Sequence, residues 1–279
     1  MTDISLKSRD HRPKQLDIAA IRKALDNILL RFETVHLDAL RALFASMIFV
    51  VTAGRGSVGK STWAHALIEL LRALGFAVVV VDADRRRPNL SQAYQTAWNT
   101  KTYAIDLTIE GSIGTLAEII EENRGCPVVL NLGAEADVNL SGEAIVETIN
   151  DLLSITNRDL FIMWLLRREA DGPRDLANFL TQNLTCTSAA VLNLEGTVRE
   201  HFEHFDAMLS AKTLVLNKVF ELPAAAPRVT DRFFTDGIPA STLLVAGSLA
   251  EKLDAGKWLR SCFSNIIKEM SYGTDDEIR

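Results

Sequence analysis

The chain has 279 residues, of which 48% are hydrophobic and 24% charged. That length fits one large α/β domain or two small ones, and that composition excludes a disordered chain. The formal net charge of -6 excludes a global attraction to DNA or to an anionic membrane surface, though it does not speak against a local basic patch.

Residues 1–14 are polar and charged, the composition of a loose end. From Gln15 to Phe32 the pattern is helical: Leu16, Ile18, Ile21, Leu25, Ile28, Leu29 and Phe32 recur at helical spacing. A second short helix is predicted over Leu37–Phe44. Residues 1–45 therefore read as an N-terminal helical extension ahead of one domain over residues 46–279. Short apolar runs then begin. Met47–Ala53 (MIFVVTA) and Ala77–Val81 (AVVVV) are predicted as buried strands, with a helix over Thr62–Leu74 between them that Gly75 ends. Further strands are predicted at Val128–Leu132, Leu160–Leu166, Ala189–Leu194, Thr213–Val219 and Ser241–Val245. Helices are predicted at Gly114–Glu122, Ser141–Ile155, Pro173–Asn183, Arg199–Leu209 and Ser248–Met270. The Pro/Ala-rich stretch Leu222–Arg228 reads as a loop. Continuous apolar strands alternating with helices define an α/β fold, a mostly parallel sheet with helices on both faces.

Gly54-Arg55-Gly56-Ser57-Val58-Gly59-Lys60-Ser61 fits the phosphate-loop pattern G-x-x-x-x-G-K-[ST]. It follows an apolar strand and opens an amphipathic helix, which is the context its chemistry needs. The glycines let the backbone wrap a phosphate, the loop N–H groups form an anion nest, and the helix N-terminus, at Ser61 and Thr62, adds partial positive charge. Lys60 is placed to reach the β/γ-phosphates and Ser61 to ligate Mg²⁺. The expected ligands are therefore ATP and Mg²⁺. Asp82 and Asp84 end the second strand, where open parallel sheets bind ligands. They are candidates to position metal-bound or attacking water, with a helix N-cap as the alternative role.

At these residues the chain resembles the ParA/MinD class of P-loop ATPases, whose loop reads K-G-G-x-G-K-[ST] and whose second strand ends Asp-x-Asp. The segment Asp82–Leu90 (DADRRRPNL) is also similar to the D-A-D-L-R-R-P-x-L segment of bacterial tyrosine kinases. The strong resemblance covers Phe49–Leu90. It implies an ATP-dependent homodimer with the nucleotide held between subunits, a protein partner that regulates hydrolysis, and a cargo or complex to position, in plasmid or chromosome partition or the placement of a cell-surface or secretion machine. It implies that Asp84 orients the hydrolytic water, that Asp82 sits near the metal, and that Asn193 or Asn217 contacts the base. Arg55 stands where the class carries the lysine that reaches the partner's nucleotide. Arginine keeps the charge but is a planar fork, not a point charge. Asn131, in Asn131-Leu132-Gly133-Ala134-Glu135, stands where the class carries an aspartate on a Mg²⁺ water. The exchange implies slow hydrolysis unless Glu135 or Asp137 compensates.

Other features carry less chemistry. The cysteines Cys126, Cys186 and Cys262 are too scattered for a disulfide framework or a zinc site and suit a reducing compartment. No apolar run reaches the ~18 residues of a membrane helix, and the N-terminus lacks a signal peptide's apolar run. A cytoplasmic protein is expected, open to recruitment to a membrane or cell pole. Arg85, Arg86 and Arg87 form either a solvated loop or a switch loop gripping phosphate. His201 and His204 read as surface residues, and Trp63 and Trp98 as packing residues. The C-terminal helix is expected to cover the sheet, with a membrane-surface role as the alternative. Two rival readings of the chain remain. One is a tyrosine-kinase relative, which here has only Tyr272 near its C-terminus. The other is a hydrolysis-deficient nucleotide-binding scaffold.

Overall fold

The computed structural model describes residues 17–84, 87–133, 156, 158–181 and 186–271. Seven strands make one sheet: β1 (Ile48–Thr52), β2 (Val78–Ala83), β3 (Thr100–Ala104), β4 (Val128–Leu132), β5 (Leu160–Leu166), β6 (Thr187–Asn193) and β7 (Lys218–Leu222). Their order is β3-β2-β4-β1-β5-β6-β7, and every pairing is parallel. β1 lies mid-sheet. The chain runs from it to β2 and β3 on one side, returns through β4, and leaves to β5, β6 and β7 on the other.

Alternation along the central strands separates two apolar layers. Phe49, Val51, Phe161 and Met163 face one layer, and Ile48, Val50, Leu160 and Ile162 the other. The first layer is covered by α1 (Ile18–Leu29), α2 (Thr34–Phe44), α3 (Lys60–Ala73) and α4 (Asn89–Tyr94). The second is covered by α5 (Ser112–Glu122), α6 (Asp171–Leu180) and α7 (Glu203–Ser210). Returning to the first face, α8 (Pro227–Phe234), α9 (Ala240–Ala246) and α10 (Leu249–Ser271) complete its cover. Both expected N-terminal helices are present. Asp17 caps α1 by accepting from the Ala20 amide at 2.9 Å, and Ile21 and Leu25 share one core with Trp63 of α3. α10 packs on the sheet through Leu259, Phe263 and Ile266, the expected one of its two readings.

Buried polar groups fix α4 at both ends. Asp82 of β2 accepts at Oδ2 from the amides of Leu90 at 2.9 Å and Ser91 at 3.1 Å, so a strand carboxylate caps the helix. At the far end the Tyr94 hydroxyl donates to Glu69 Oε1 at 3.1 Å and lies 3.2 Å from His65 Nδ1. Arg72 joins Glu69 at 3.0 Å and Ser241 of α9 at 3.0 Å. Elsewhere Arg158 is buried among carbonyl oxygens at the amino ends of β1 and β4, donating to Ser46 at 2.7 Å and Cys126 at 2.5 Å. Burial lowers its pKa. The outer strand β7 is closed by α10: Asn265 accepts from the Glu221 amide at 2.8 Å, and the Trp258 indole donates to Pro223 O at 3.1 Å.

Several expectations need correction. β3 is an edge strand of polar, half-exposed residues (TKTYA) that shows no apolar run. The segment from Pro227 is a helix, because proline at the first position has the right φ and no amide to satisfy. Ser241–Val245 is helical, not a strand: short apolar runs are ambiguous between the two. The strand predicted from Thr213 begins at Lys218, since the amides of Thr213 and Leu214 fold back on Met208 O to close α7. The predicted helix Ser141–Ile155, with Glu135, Asp137, Arg85 and Arg86, lies outside the described residues.

Candidate nucleotide site

β1 delivers the chain at Ala53, at the carboxyl end of the sheet, and α3 begins at Lys60. The intervening loop turns through two left-handed residues, Ser57 (φ 58) and Gly59 (φ 99). Such alternation points successive N–H groups to one side, the geometry of an anion nest. A Cβ at Gly59 would lie 2.5 Å from Asn193 Nδ2, and one at Gly54 would lie 2.8 Å from Asp175 Oδ2. The left-handed φ favours glycine at Gly59, whereas at Gly54 a side chain would require the Asp175 carboxylate to shift. Lys60 is buried, and its ammonium donates to the Arg55 carbonyl at 3.1 Å, closing the loop on itself.

The loop and its helix wall a cavity of about 600 Å³. Gly56, Ser57, Gly59, Lys60, Ser61 and Thr62 line it together with Asp84, Arg87, Asn89, Glu195, Phe234 and Thr235. Asp84 Oδ1 accepts from the amide of Arg87, three residues on, at 3.1 Å, a contact of the kind made by helix N-caps. Gly133, just past β4, lets that strand's exit pass close to Asp84: a Cβ there would be 3.1 Å from Asp84 Cα. Lys60, Ser61 and Asp84, predicted from two separate motifs, thus line one cavity.

Asp82 and Asn131 are register partners on β2 and β4, and both are buried. Asp82 Oδ1 accepts from Asn131 Nδ2 at 3.1 Å and from the Asp84 amide at 3.3 Å, while Oδ2 holds α4. These four donors fill the acceptor capacity of a carboxylate. The expectation of Asp82 as a metal ligand is corrected accordingly, and the helix-cap alternative is what the geometry presents. Burial pushes the Asp82 carboxyl above its ordinary pKa, opposed by its hydrogen bonds to Asn131, Ser91, Asp84 and Leu90. Asn131 Oδ1, in contrast, is buried with no partner among the described residues. Of the residues expected to hold Mg²⁺, Ser61 lines the cavity, while Asn131 offers a buried neutral acceptor outside that lining.

The two asparagines separate clearly. Asn193 ends β6, and its Nδ2 donates to the Val58 carbonyl at 2.8 Å while its Oδ1 accepts from the Glu195 amide at 2.9 Å. It braces the phosphate loop and places Glu195 on the cavity. Asn217 precedes β7 at the amino end of the sheet, its Oδ1 accepting from the Ser188 amide at 2.8 Å. That is the end opposite the phosphate loop, so Asn217 is not part of the site.

Arg55 forms an ion pair with Asp171, the first residue of α6, with both side chains about half exposed. Asp171, Asp175, Glu195, Phe234 and Thr235 escaped sequence reasoning. Asp171 and Asp175 share one helix face at i, i+4 spacing, but nothing in sequence points that face at a loop over a hundred positions earlier. His201 is exposed and bonds Thr197 at 3.0 Å, and no cluster of metal-ligating side chains occurs among the described residues.

A parallel sheet with a phosphate nest between its central strand and the next helix defines a P-loop nucleotide-binding protein. Residues 49–221 match the CobQ/CobB/MinD/ParA nucleotide binding domain (CbiA), and the chain belongs to that family. It is similar to Protein MobD of Acidithiobacillus ferrooxidans, with 23% identity over 217 residues, 77% of this chain and 93% of that protein. Among solved structures it resembles a protein of Borrelia burgdorferi B31 assigned to plasmid partition, bound to AMPPNP. The TM-score is 0.53 and identity 14%, over 80% of this chain and 98% of that one. It also resembles the septum site-determining protein MinD of Pyrococcus horikoshii OT3, complexed with Mg-ADP, with TM-score 0.49 and identity 16%, over 79% and 95% of the two chains.

Proposed function

We propose that this protein is an ATP-dependent molecular switch. ATP closes a homodimer that engages a protein partner or cargo, and hydrolysis releases it. The observation that carries this reading is that Lys60, Ser61 and Asp84 line one cavity of about 600 Å³ at the carboxyl end of the sheet. ATP as the nucleotide is supported by the AMPPNP held by the Borrelia protein of the same fold. Lys60 would leave the Arg55 carbonyl for the β/γ-phosphates. Asp84, in the same lining, would orient the attacking water. Ser61 and Asn131 would hold Mg²⁺ and its waters, and the ion would neutralise charge on the phosphates. Arg55 would reach the partner subunit's nucleotide on leaving Asp171. We place the switch in the cytoplasm, recruited by its partner to a membrane or pole.

The test pairs two variants. Lys60→Ala should weaken ATP binding by at least about tenfold, since charge-assisted contacts contribute about 1.5–3 kcal/mol. Asp84→Ala should bind ATP normally and fail to turn it over. Calorimetry showing unchanged affinity in the first, or phosphate release at the wild-type rate in the second, would overturn the assignment. A second reading, a nucleotide-binding regulatory scaffold without hydrolysis, is favoured by the neutral Asn131. No phosphate release from wild type, alone or with its partner, would select it.

A further inference from the structure

Away from the nucleotide cavity, a groove of about 620 Å³ opens between the turn after α1, the end of β7 and the face of α10. Arg31, Arg260 and Lys268 line it with Ser261 and Ser264. Its one acidic lining residue, Glu221, has the Arg199 guanidinium 3.7 Å away. Among the described residues neither Arg31 nor Arg260 has an ion-pair or hydrogen-bond partner. Three basic residues thus line one concavity of a chain whose net charge is -6, the third, Lys268, lying 4.0 Å from Glu269. Two guanidiniums that line one groove with no ion-pair partner among the described residues make it positive, and an anion would offset that charge.

We propose that this groove is a second ligand site, for a small molecule carrying phosphate. The arginine forks match phosphate oxygens, and the serine hydroxyls can donate to the remaining ones. Phe32 and Pro223 give the wall an apolar part, against which a ring or chain attached to the phosphate would lie. The volume falls within the ~300–1,000 Å³ of small-molecule sites, and the concave shape suits a compact ligand better than a straight polymer. The end of β7 touches both the groove and the phosphate loop. Glu221 lines it, and the next residue, Leu222, would lie 3.4 Å from a Cβ on Gly59. The site is independent of the nucleotide reading, since its residues line none of that cavity.

The test is calorimetric titration of the full chain with tripolyphosphate after saturation with AMPPNP and Mg²⁺, which keeps the phosphate loop filled. One further binding event is expected, weakening as salt is raised. Arg31→Ala and Arg260→Ala should each weaken it about tenfold while AMPPNP binding stays as in wild type. Arg260→Lys should recover part of the loss, which a folding defect would not. The inference fails if no second event is seen, or if the double alanine variant binds tripolyphosphate as wild type does. It also fails if a short DNA duplex or anionic vesicles bind through these arginines while tripolyphosphate does not, because the surface then reads a polymer or a membrane. Should AMPPNP not bind at all, the switch reading falls, while the arginine dependence of tripolyphosphate binding still decides this one.

Discussion

Asn131 donates through Nδ2 to Asp82 at 3.1 Å, while its carbonyl oxygen has no partner among the described residues. The amide therefore does two things an aspartate could not do in the empty protein: it gives a proton to Asp82 and adds no charge. Asn131→Asp would set two buried carboxylates side by side. One would be driven to hold a proton unless a cation lay close by. The variant should be less stable than wild type without ligand, by about 1–3 kcal/mol, and should gain more from Mg²⁺ with ATP than wild type does. Thermal melts of both proteins, with and without Mg²⁺ and ATP, check this. Equal shifts in the two would mean that no metal shell reaches this oxygen. The motif itself was legible from Gly54 to Thr62, because each residue there has a local backbone or phosphate reason. The roles of Asp82 and Asn193 were not legible, because they depend on which amides lie across the sheet.

The short helix α4 draws its position from its two ends, and its far end leans on a buried imidazole. His65 of α3 is fully enclosed by Tyr94, stacked on Phe233 at a centroid distance of 4.7 Å, with Glu69 and Arg72 in the same network. Burial lowers its pKa from 6.5 to about 3. The unfolded chain therefore takes up a proton near pH 6.5 that the folded protein refuses, and stability is lost as pH falls through that window toward 3. From pH 6.5 to 5, above the range of ordinary carboxylates, the loss due to His65 should reach about 2 kcal/mol. Urea unfolding at pH 7, 6 and 5 should show that slope in wild type and a flatter one in His65→Phe. Parallel slopes would clear the imidazole of any such role. Which elements could be read in advance follows from burial. β4 and β5 were predicted to the residue because both of their faces are covered, β5 being wholly apolar and β4 apolar but for Asn131. β3 was missed because an edge strand needs no such run. α9 was misread because Ser-Thr-Leu-Leu-Val suits a strand locally, and only the partnership of Ser241 with Glu69 and Arg72 turns it inward.

Taken together, the first layer does not separate into an extension and a domain core. Ile21, Leu25, Ile28 and Leu29 of α1, with Leu37, Leu40 and Phe44 of α2, are all buried. Each such side chain contributes about 1.5–3 kcal/mol, so together they rival the whole stability of a typical domain. Removing residues 1–45 should therefore leave a chain that no longer unfolds cooperatively, rather than a trimmed but working nucleotide-binding unit. Circular dichroism melts of the truncated protein test this. A sharp transition near that of the full chain would show that the two helices are dispensable.

The closure of β7 by Asn265 and Trp258 has a consequence for how such molecules can join. A sheet grows from chain to chain only where an outermost rung still has amides to offer, and here the Glu221 amide is already taken by the molecule's own helix. Crowded copies thereby find one rung of this margin already occupied. Contacts between side-chain surfaces draw on no such amide and are untouched by this closure.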